Sequence, residues 1–196
     1  MKKWKNIKNA KMLRYKLIYD RIFLVIKENI VNRTTVARII FSIIIIINCL
    51  LICIFSSDTG EKSTNKSGFV VDLLLKMFPQ YEQMSEVEQH DFRENLTFIV
   101  RKIAHFSEYV PIGIFGVLLL NTFAMKNKFK YLFTQLFGTL YAVSDEIHQL
   151  FVAQRECHIR DVFIDSCGVA FGALIVLLII HLHKKHKAKK MATVAE

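Results

Sequence analysis

Proline and glycine are scarce in this chain, with 2 prolines and 7 glycines among 196 residues. Such low contents exclude collagen-like chains and proline- or glycine-rich disordered chains. No CxxC pair occurs among the four cysteines, which are Cys49, Cys53, Cys157 and Cys167. The chain therefore lacks the pattern of a disulfide framework or a zinc knuckle. Apolar residues are abundant instead: 53% of the sequence is hydrophobic, which favours a membrane protein.

Positive charge is concentrated at the two ends. The net charge is +10, with 11 Lys and Arg in residues 1–38 and five more in residues 184–190. Basic segments beside apolar runs favour contact with anionic lipid headgroups over nucleic acid, which is not an expected partner. Residues 1–36 are therefore predicted to form a basic cytoplasmic or interfacial segment, and residues 183–196 a basic cytoplasmic tail.

Four apolar runs predict an all-α polytopic bundle with four transmembrane helices, over residues 37–55, 96–125, 129–152 and 160–182. A secretory signal peptide is the alternative for the first run. A retained anchor is favoured because the basic region before it is long and no clear cleavage site follows. Residues 56–95 are polar, and their short amphipathic stretch at 70–78 is expected to lie at the surface as a helix.

The distribution of basic residues predicts the orientation. The N-terminus, the turn at 126–130 and the C-terminal tail are rich in Lys and Arg, whereas residues 56–95 hold eight Asp and Glu against four Lys and Arg. The positive-inside rule places both termini in the cytoplasm. The polar residues inside the spans then converge at their outer ends.

Those polar residues form three clusters in the predicted spans: residues 101–109 in the second, residues 144–149 in the third, and Arg160, Asp161 and Asp165 in the fourth. Ionisable groups inside a membrane are costly and are functional-site candidates by default. Helical spacing places Arg101, His105 and Glu108 on one face of the second span. On the fourth span, one face carries two carboxylates above a small-residue groove that admits another helix, the four positions being Asp161, Asp165, Gly168 and Gly172.

We interpret the clusters as one outward-facing polar site. The acid/base candidates are His105, Glu108, His148 and Asp145. Arg and Lys suit a phosphate or a carboxylate. The substrate-binding candidates are Arg101, Lys102, Tyr109, Glu146, Gln149, Arg155, Arg160, Asp161 and Asp165. No cofactor and no metal are expected, because adjacent cations on the second span would oppose a divalent ion. The metal alternative would use His105, Glu108, His148 and Asp161 or Asp165.

Two other interpretations remain open. The charges could pair only with one another and fix the helix packing of a non-enzymatic scaffold. The chain could also be a small transporter, although four spans without a second half make this interpretation weaker.

The polar motifs resemble the VanZ-like family over about residues 37–182. The resemblance rests on Ile54-Phe55-Ser56-Ser57, Arg101-Lys102-x-x-His105-Phe106-x-Glu108-Tyr109, Ser144-Asp145-Glu146-x-His148-Gln149, and Arg155 with Arg160-Asp161-x-x-x-Asp165. Family members typically have Gln at the position of Asp58. The resemblance implies a multi-pass protein of a bacterial cell membrane and, in some members, lowered sensitivity to teicoplanin. The expected partners are the lipid bilayer and a cell-wall precursor or anionic lipid headgroup.

Overall fold

The computed structural model describes Arg21 and residues 32–194. The chain divides into two units, residues 1–40 and 41–196, and the architecture below concerns the second unit. The prediction made for residues 1–36 lies mostly outside the described residues.

Helices provide all the regular structure, and no strand occurs in the described ranges. This confirms the all-α prediction for that part of the chain. A short 3-10 helix, Pro79–Gln83, connects the second and third helices. Within residues 32–194 the five α-helices are α1 Asn32–Ser56, α2 Gly60–Leu75, α3 Glu86–Asn121, α4 Asn127–Gln149 and α5 Ile159–Val194.

Three of these helices, α1, α3 and α5, are long and apolar enough to cross a membrane. They coincide with the first, second and fourth predicted spans. The third prediction coincides with α4, whose 23 residues would suffice to cross the hydrocarbon core but are more polar. The fold therefore provides three candidate spans, together with a fourth helix whose composition differs.

Helix α4 buries its polar and small residues and exposes its apolar ones. The buried positions recur at helical spacing and are Lys130, Thr134, Gly138, Ala142, Asp145, Glu146 and Gln149. The exposed face carries large apolar side chains, among them Leu132, Phe133, Leu136, Phe137, Leu140 and Ile147. A surface helix in water shows the opposite arrangement. The outer face of α4 is therefore suited to contact with lipid.

Helices α3 and α5 pack backbone to backbone. A Cβ atom at Gly168 would overlap the main-chain carbonyl of Phe106, and one at Gly172 would overlap that of Val110. Small residues at such crossings let two helices approach closely. The small-residue groove predicted on the fourth span is confirmed, and it fixes the carboxylates above it against α3.

Capping, and not hydrophobicity, sets the start of α3. The helix begins well before the predicted span at Leu96, because Ser85 and Glu88 form a capping box. The Glu88 side chain accepts a hydrogen bond from the Ser85 N–H at 2.9 Å. The predicted surface helix at 70–78 is likewise displaced: it begins at Gly60 and ends at Leu75, before Pro79.

Candidate functional site

The three predicted polar clusters meet at one end of the helix bundle. Lys102 Nζ on α3 binds Asp161 Oδ1 on α5 at 2.5 Å. Ser56 Oγ on α1 donates to Asp145 Oδ2 on α4 at 2.7 Å. Residues of all three clusters, among them Arg101, Gln149 and Asp161, line one cavity at this end of the bundle.

Five side chains between α1 and α4 form a hydrogen-bonded set, which we name the α1–α4 cluster: Ser56, Ser57, Asp145, His148 and Gln149. Asp145 is only 4% exposed and also accepts a hydrogen bond from Gln149 Nε2 at 3.2 Å. Ser57 Oγ lies 3.0 Å from His148 Nε2. A buried carboxylate with two donors is well satisfied, so the cluster holds the two helices together.

Arg155, in the α4–α5 loop, closes over the end of α1. Its Nε donates to the Asp58 carbonyl at 3.1 Å, and its second guanidinium nitrogen donates to the Phe55 carbonyl at 3.5 Å. Carbonyl groups at a helix C-terminus carry partial negative charge and attract a cation. The Asp58 side chain in turn binds Lys62 and Lys66 of α2, and these two ammonium groups hold the pKa of its carboxyl below its usual range.

A cavity of about 410 Å³, the cationic pocket, lies beside α3, the α4–α5 loop and the start of α5. Its lining includes four cations, Arg101, Lys102, Arg155 and Arg160, and two carboxylates. One of these carboxylates, that of Asp161, is already bound to Lys102. The remaining lining residues are Phe98, Gln149, Gln154, Glu156 and His158. The pocket therefore presents more positive than negative charge.

Of the four cations in this pocket, Arg101 makes the fewest interactions with other described residues. It has neither a hydrogen bond nor an ion pair with any other described residue. Arg155 lies close enough that burial, and then repulsion by Arg101, lower the pKa of its guanidinium below its usual range. Arginine stays protonated at neutral pH. An anion placed between the two guanidinium groups would relieve this repulsion.

A smaller cavity of about 60 Å³ shares Arg101 and Arg155 with the cationic pocket. Its other lining residues are Phe55, Ser56, Ser63, Ser67, Ala104, His105 and Glu108. Behind it, His105 Nδ1 lies 3.6 Å from Asp165 Oδ1. A histidine backed by a carboxylate and facing a polar cavity has the arrangement that general acid/base catalysis requires.

Several buried polar atoms around this site have no hydrogen-bond partner in the described part of the chain. They include the Tyr109 hydroxyl, one Glu146 oxygen and both Asp165 oxygens. The other Glu146 oxygen accepts the His158 N–H at 2.8 Å. Native cores leave few such groups unpaired, and functional sites are one place where they are found. Asp165 therefore depends on His105, its one ionic contact among the described residues.

The predicted site residues divide between these regions. Two acid/base candidates, His105 and Glu108, line the small cavity, whereas Asp145 and His148 belong to the α1–α4 cluster. Tyr109 and Asp165 are buried behind the cavities. Sequence reasoning missed Ser63 and Ser67 of α2, and also Phe98, Gln154, Glu156 and His158. The i,i+4 spacing of the two serines was the available signal that both lie on one face of a helix.

The side chains named for a possible metal site are not grouped around one point in the described part of the chain. Among the described residues, no three His, Cys, Asp or Glu side chains come together in a way that could hold a metal ion. The proposed set is divided, since His105 faces Asp165 and His148 faces Ser57.

The part of the chain that the structure describes has only helices, three of them apolar enough to cross a membrane, and buries ionisable groups beneath an apolar exterior. These features are consistent with a helical membrane protein. A family model described as VanZ/LLP1 matches residues 40–180, and the chain belongs to this family. Comparison with curated proteins and with solved structures gave no match.

Proposed function

We propose that this chain is a four-span protein of a bacterial cell membrane that holds an anionic group of an envelope lipid or cell-wall precursor and lowers sensitivity to teicoplanin. Both termini are cytoplasmic in this proposal, and the polar end of the bundle faces outward. The observation that carries the binding function is Arg101, which has no partner among the described residues and lies beside Arg155 at the junction of two cavities.

The charge balance of the cationic pocket supports an anionic ligand. After the pairing of Lys102 with Asp161, three arginines remain against Glu156 alone. Guanidinium groups bind phosphate and carboxylate oxygens in pairs of hydrogen bonds. The cavity of about 410 Å³ falls within the size range of small-molecule sites, so a phosphate-bearing headgroup fits it better than a whole lipid.

The acid/base role is assigned first to His105 and Glu108. Both line the small cavity beside Arg101, so a ligand anchored by that arginine lies next to them. Asp165 holds His105 from behind. The proposed chemistry is proton transfer to or from the anchored group. Asp145 and His148, the other two candidates, face α1 and are given a supporting role.

The inverted faces of α4 support the fourth span. Its exposed side is apolar, and its buried side carries the polar residues that bind α1. A helix of this kind can lie among lipids with its polar face turned inward. An odd number of crossings, such as three, would place the termini on opposite sides, whereas four spans return the chain to the side from which it started.

Teicoplanin tolerance of a susceptible host tests the proposal. We expect the wild-type chain to raise tolerance, and Arg101→Met and Glu108→Gln to abolish the rise while membrane levels stay normal. Glu94→Gln is the matched control, because Glu94 is an exposed carboxylate on the same helix. Full protection by both site variants at normal abundance would show that the proposal is wrong.

The second candidate function is a scaffold whose charges serve packing alone. The α1–α4 cluster favours it, because Asp145 and His148 bond to other members of the cluster and line neither cavity of the polar site. A scaffold predicts that every loss of protection, including that of Arg101→Met, follows membrane abundance. Immunoblots of membrane fractions alongside the tolerance assay separate the two functions.

A further inference from the structure

A second cavity of substantial size lies away from the polar site, nearer the opposite end of α4. This apolar groove has a volume of about 370 Å³ and runs between α1, α3 and α4. It is lined by Ser42, Ile45, Ile46, Gly116, Leu119, Leu120, Phe133, Thr134 and Phe137. Several rim side chains are half-exposed on the outside of the bundle, including Ile46, Phe133 and Phe137. The groove therefore opens sideways, toward the space that lipid would occupy.

The groove also contains an unsatisfied hydroxyl. Thr134 is 3% exposed, and its Oγ1 has no hydrogen-bond partner among the described residues. Gly116 lies opposite, and a Cβ there would come within 2.6 Å of Thr134 Cγ2. The missing side chain at Gly116 keeps the groove open. A buried hydroxyl without a partner favours an occupant that brings an acceptor, such as an ester oxygen.

One turn from Thr134, toward the start of α4, lies the buried cation Lys130. Its Nζ donates to Asn121 Oδ1 at 2.6 Å and to Asn127 Oδ1 at 3.3 Å. Both of these partners are neutral amide oxygens, and no carboxylate of the described residues forms an ion pair with Lys130. An ammonium group has three donors, so one donor and the whole positive charge remain uncompensated.

We propose that this groove binds one anionic phospholipid, with an acyl chain between α1, α3 and α4 and the phosphate at Lys130. The exposed Lys126 and Lys128 flank the phosphate from the same turn. The positions agree in order: the cationic end lies nearest the bundle end, the unpaired hydroxyl follows, and the apolar groove extends inward. A glycerophospholipid presents phosphate, ester and hydrocarbon in that same order. This site is independent of the polar site at the other end.

Native mass spectrometry of the full-length protein in neutral detergent tests the proposal. Phosphatidylglycerol and phosphatidylcholine with identical acyl chains are the probes. We expect phosphatidylglycerol to be retained about tenfold more tightly, and Ser42→Phe and Lys130→Gln each to weaken its retention about tenfold. Ser42→Phe fills the groove, and Lys130→Gln removes the charge. The matched controls are Ile43→Phe, on the exposed neighbouring position, and Lys76→Gln, an exposed lysine of the polar segment.

Each other outcome overturns the proposal. Both lipids carry the phosphate and differ in net charge, so equal retention would show that the site does not select an anionic phospholipid. If Lys130→Gln weakens the retention of phosphatidylglycerol and Ser42→Phe does not, the lipid associates with the basic end of the bundle and does not enter the groove. Displacement of the lipid by millimolar inorganic phosphate shows a site for a free anion. If Ser42→Phe does not reach the membrane, Ile46→Trp at the exposed rim replaces it, with the same expected loss.

Discussion

The α1–α4 cluster and the cationic pocket lie at the same end of the bundle but differ in how their polar groups are paired. In the cluster, Asp145 accepts hydrogen bonds from Ser56 and Gln149 and has almost no exposed surface. In the pocket, Arg101 has no partner among the described residues and lines two cavities. Paired groups fix helices, whereas unpaired charges beside a cavity are available to a ligand.

This difference shows what the abundance of intramembrane polar residues means. Their number alone suggests a single site, but pairing divides them into a structural part and a part open to a ligand. Substitution of a structural group should lower the stability of the fold. Substitution of a ligand-binding group should weaken binding and leave the stability normal. The following predictions apply this criterion, in order of decreasing effect.

Gly172→Ala should have the largest effect, because the new Cβ would overlap the Val110 carbonyl and force α3 and α5 apart. Overpacking of this kind costs about 1–3 kcal/mol and would also separate the walls of the cationic pocket. The loss of stability is measured by thermal unfolding in detergent. The control is Gly68→Ala, which meets no atom within 4 Å and should be neutral or stabilising. Equal stability of the two variants would refute the close packing.

Asp145→Ala should destabilise the protein by about 2 kcal/mol, because it removes the charged acceptor of two buried hydrogen bonds. Any loss of teicoplanin protection should follow the loss of protein from the membrane. Unfolding curves and membrane immunoblots measure the two quantities. A stable Asp145→Ala variant that has lost protection would move this residue from the structural part to the binding part.

Arg101→Met should change stability by less than about 0.5 kcal/mol, because no described residue bonds to this guanidinium. This prediction is checked by comparing the unfolding midpoints of wild type and Arg101→Met without added anion. A large loss of stability would show that the arginine serves packing after all.

Asp58→Asn should have the smallest effect, and one that depends on pH. Hydrogen bonds from Lys62 and Lys66 lower the folded-state pKa of Asp58, so its stabilisation is present above the unfolded pKa of about 3.9. The stabilisation is lost as pH falls through the lower folded-state pKa. Wild type should therefore exceed the variant in unfolding midpoint at pH 7, and the difference should vanish in acid. A constant difference would exclude this titration.

The sequence predicted those parts of the fold that depend on hydrophobicity and helical spacing. Three apolar runs matched candidate spans, and Gly168 and Gly172 were correctly placed against another helix. The helix ends were less predictable, because a capping box at Ser85 and a polar helix beginning at Gly60 carry no hydrophobic signal.

For the site, helical spacing correctly grouped Arg101, His105 and Glu108, which line one small cavity. It could not reveal that Asp145 is paired and Arg101 is not, since pairing depends on neighbouring helices. It also missed Ser63 and Ser67, because the packing of α2 over the site follows from tertiary contacts such as the Gly60 N–H donating to the Ala153 carbonyl at 3.2 Å.

The most direct test of the central claim is the effect of inorganic pyrophosphate on the unfolding midpoints of wild type, Arg101→Met and Asp145→Ala in neutral detergent. A ligand that binds only the folded state raises the midpoint. We predict that pyrophosphate raises it for wild type and for the less stable Asp145→Ala, and leaves Arg101→Met unchanged. An equal rise in Arg101→Met, or no rise in wild type, would contradict the assignment of the cationic pocket as the binding site.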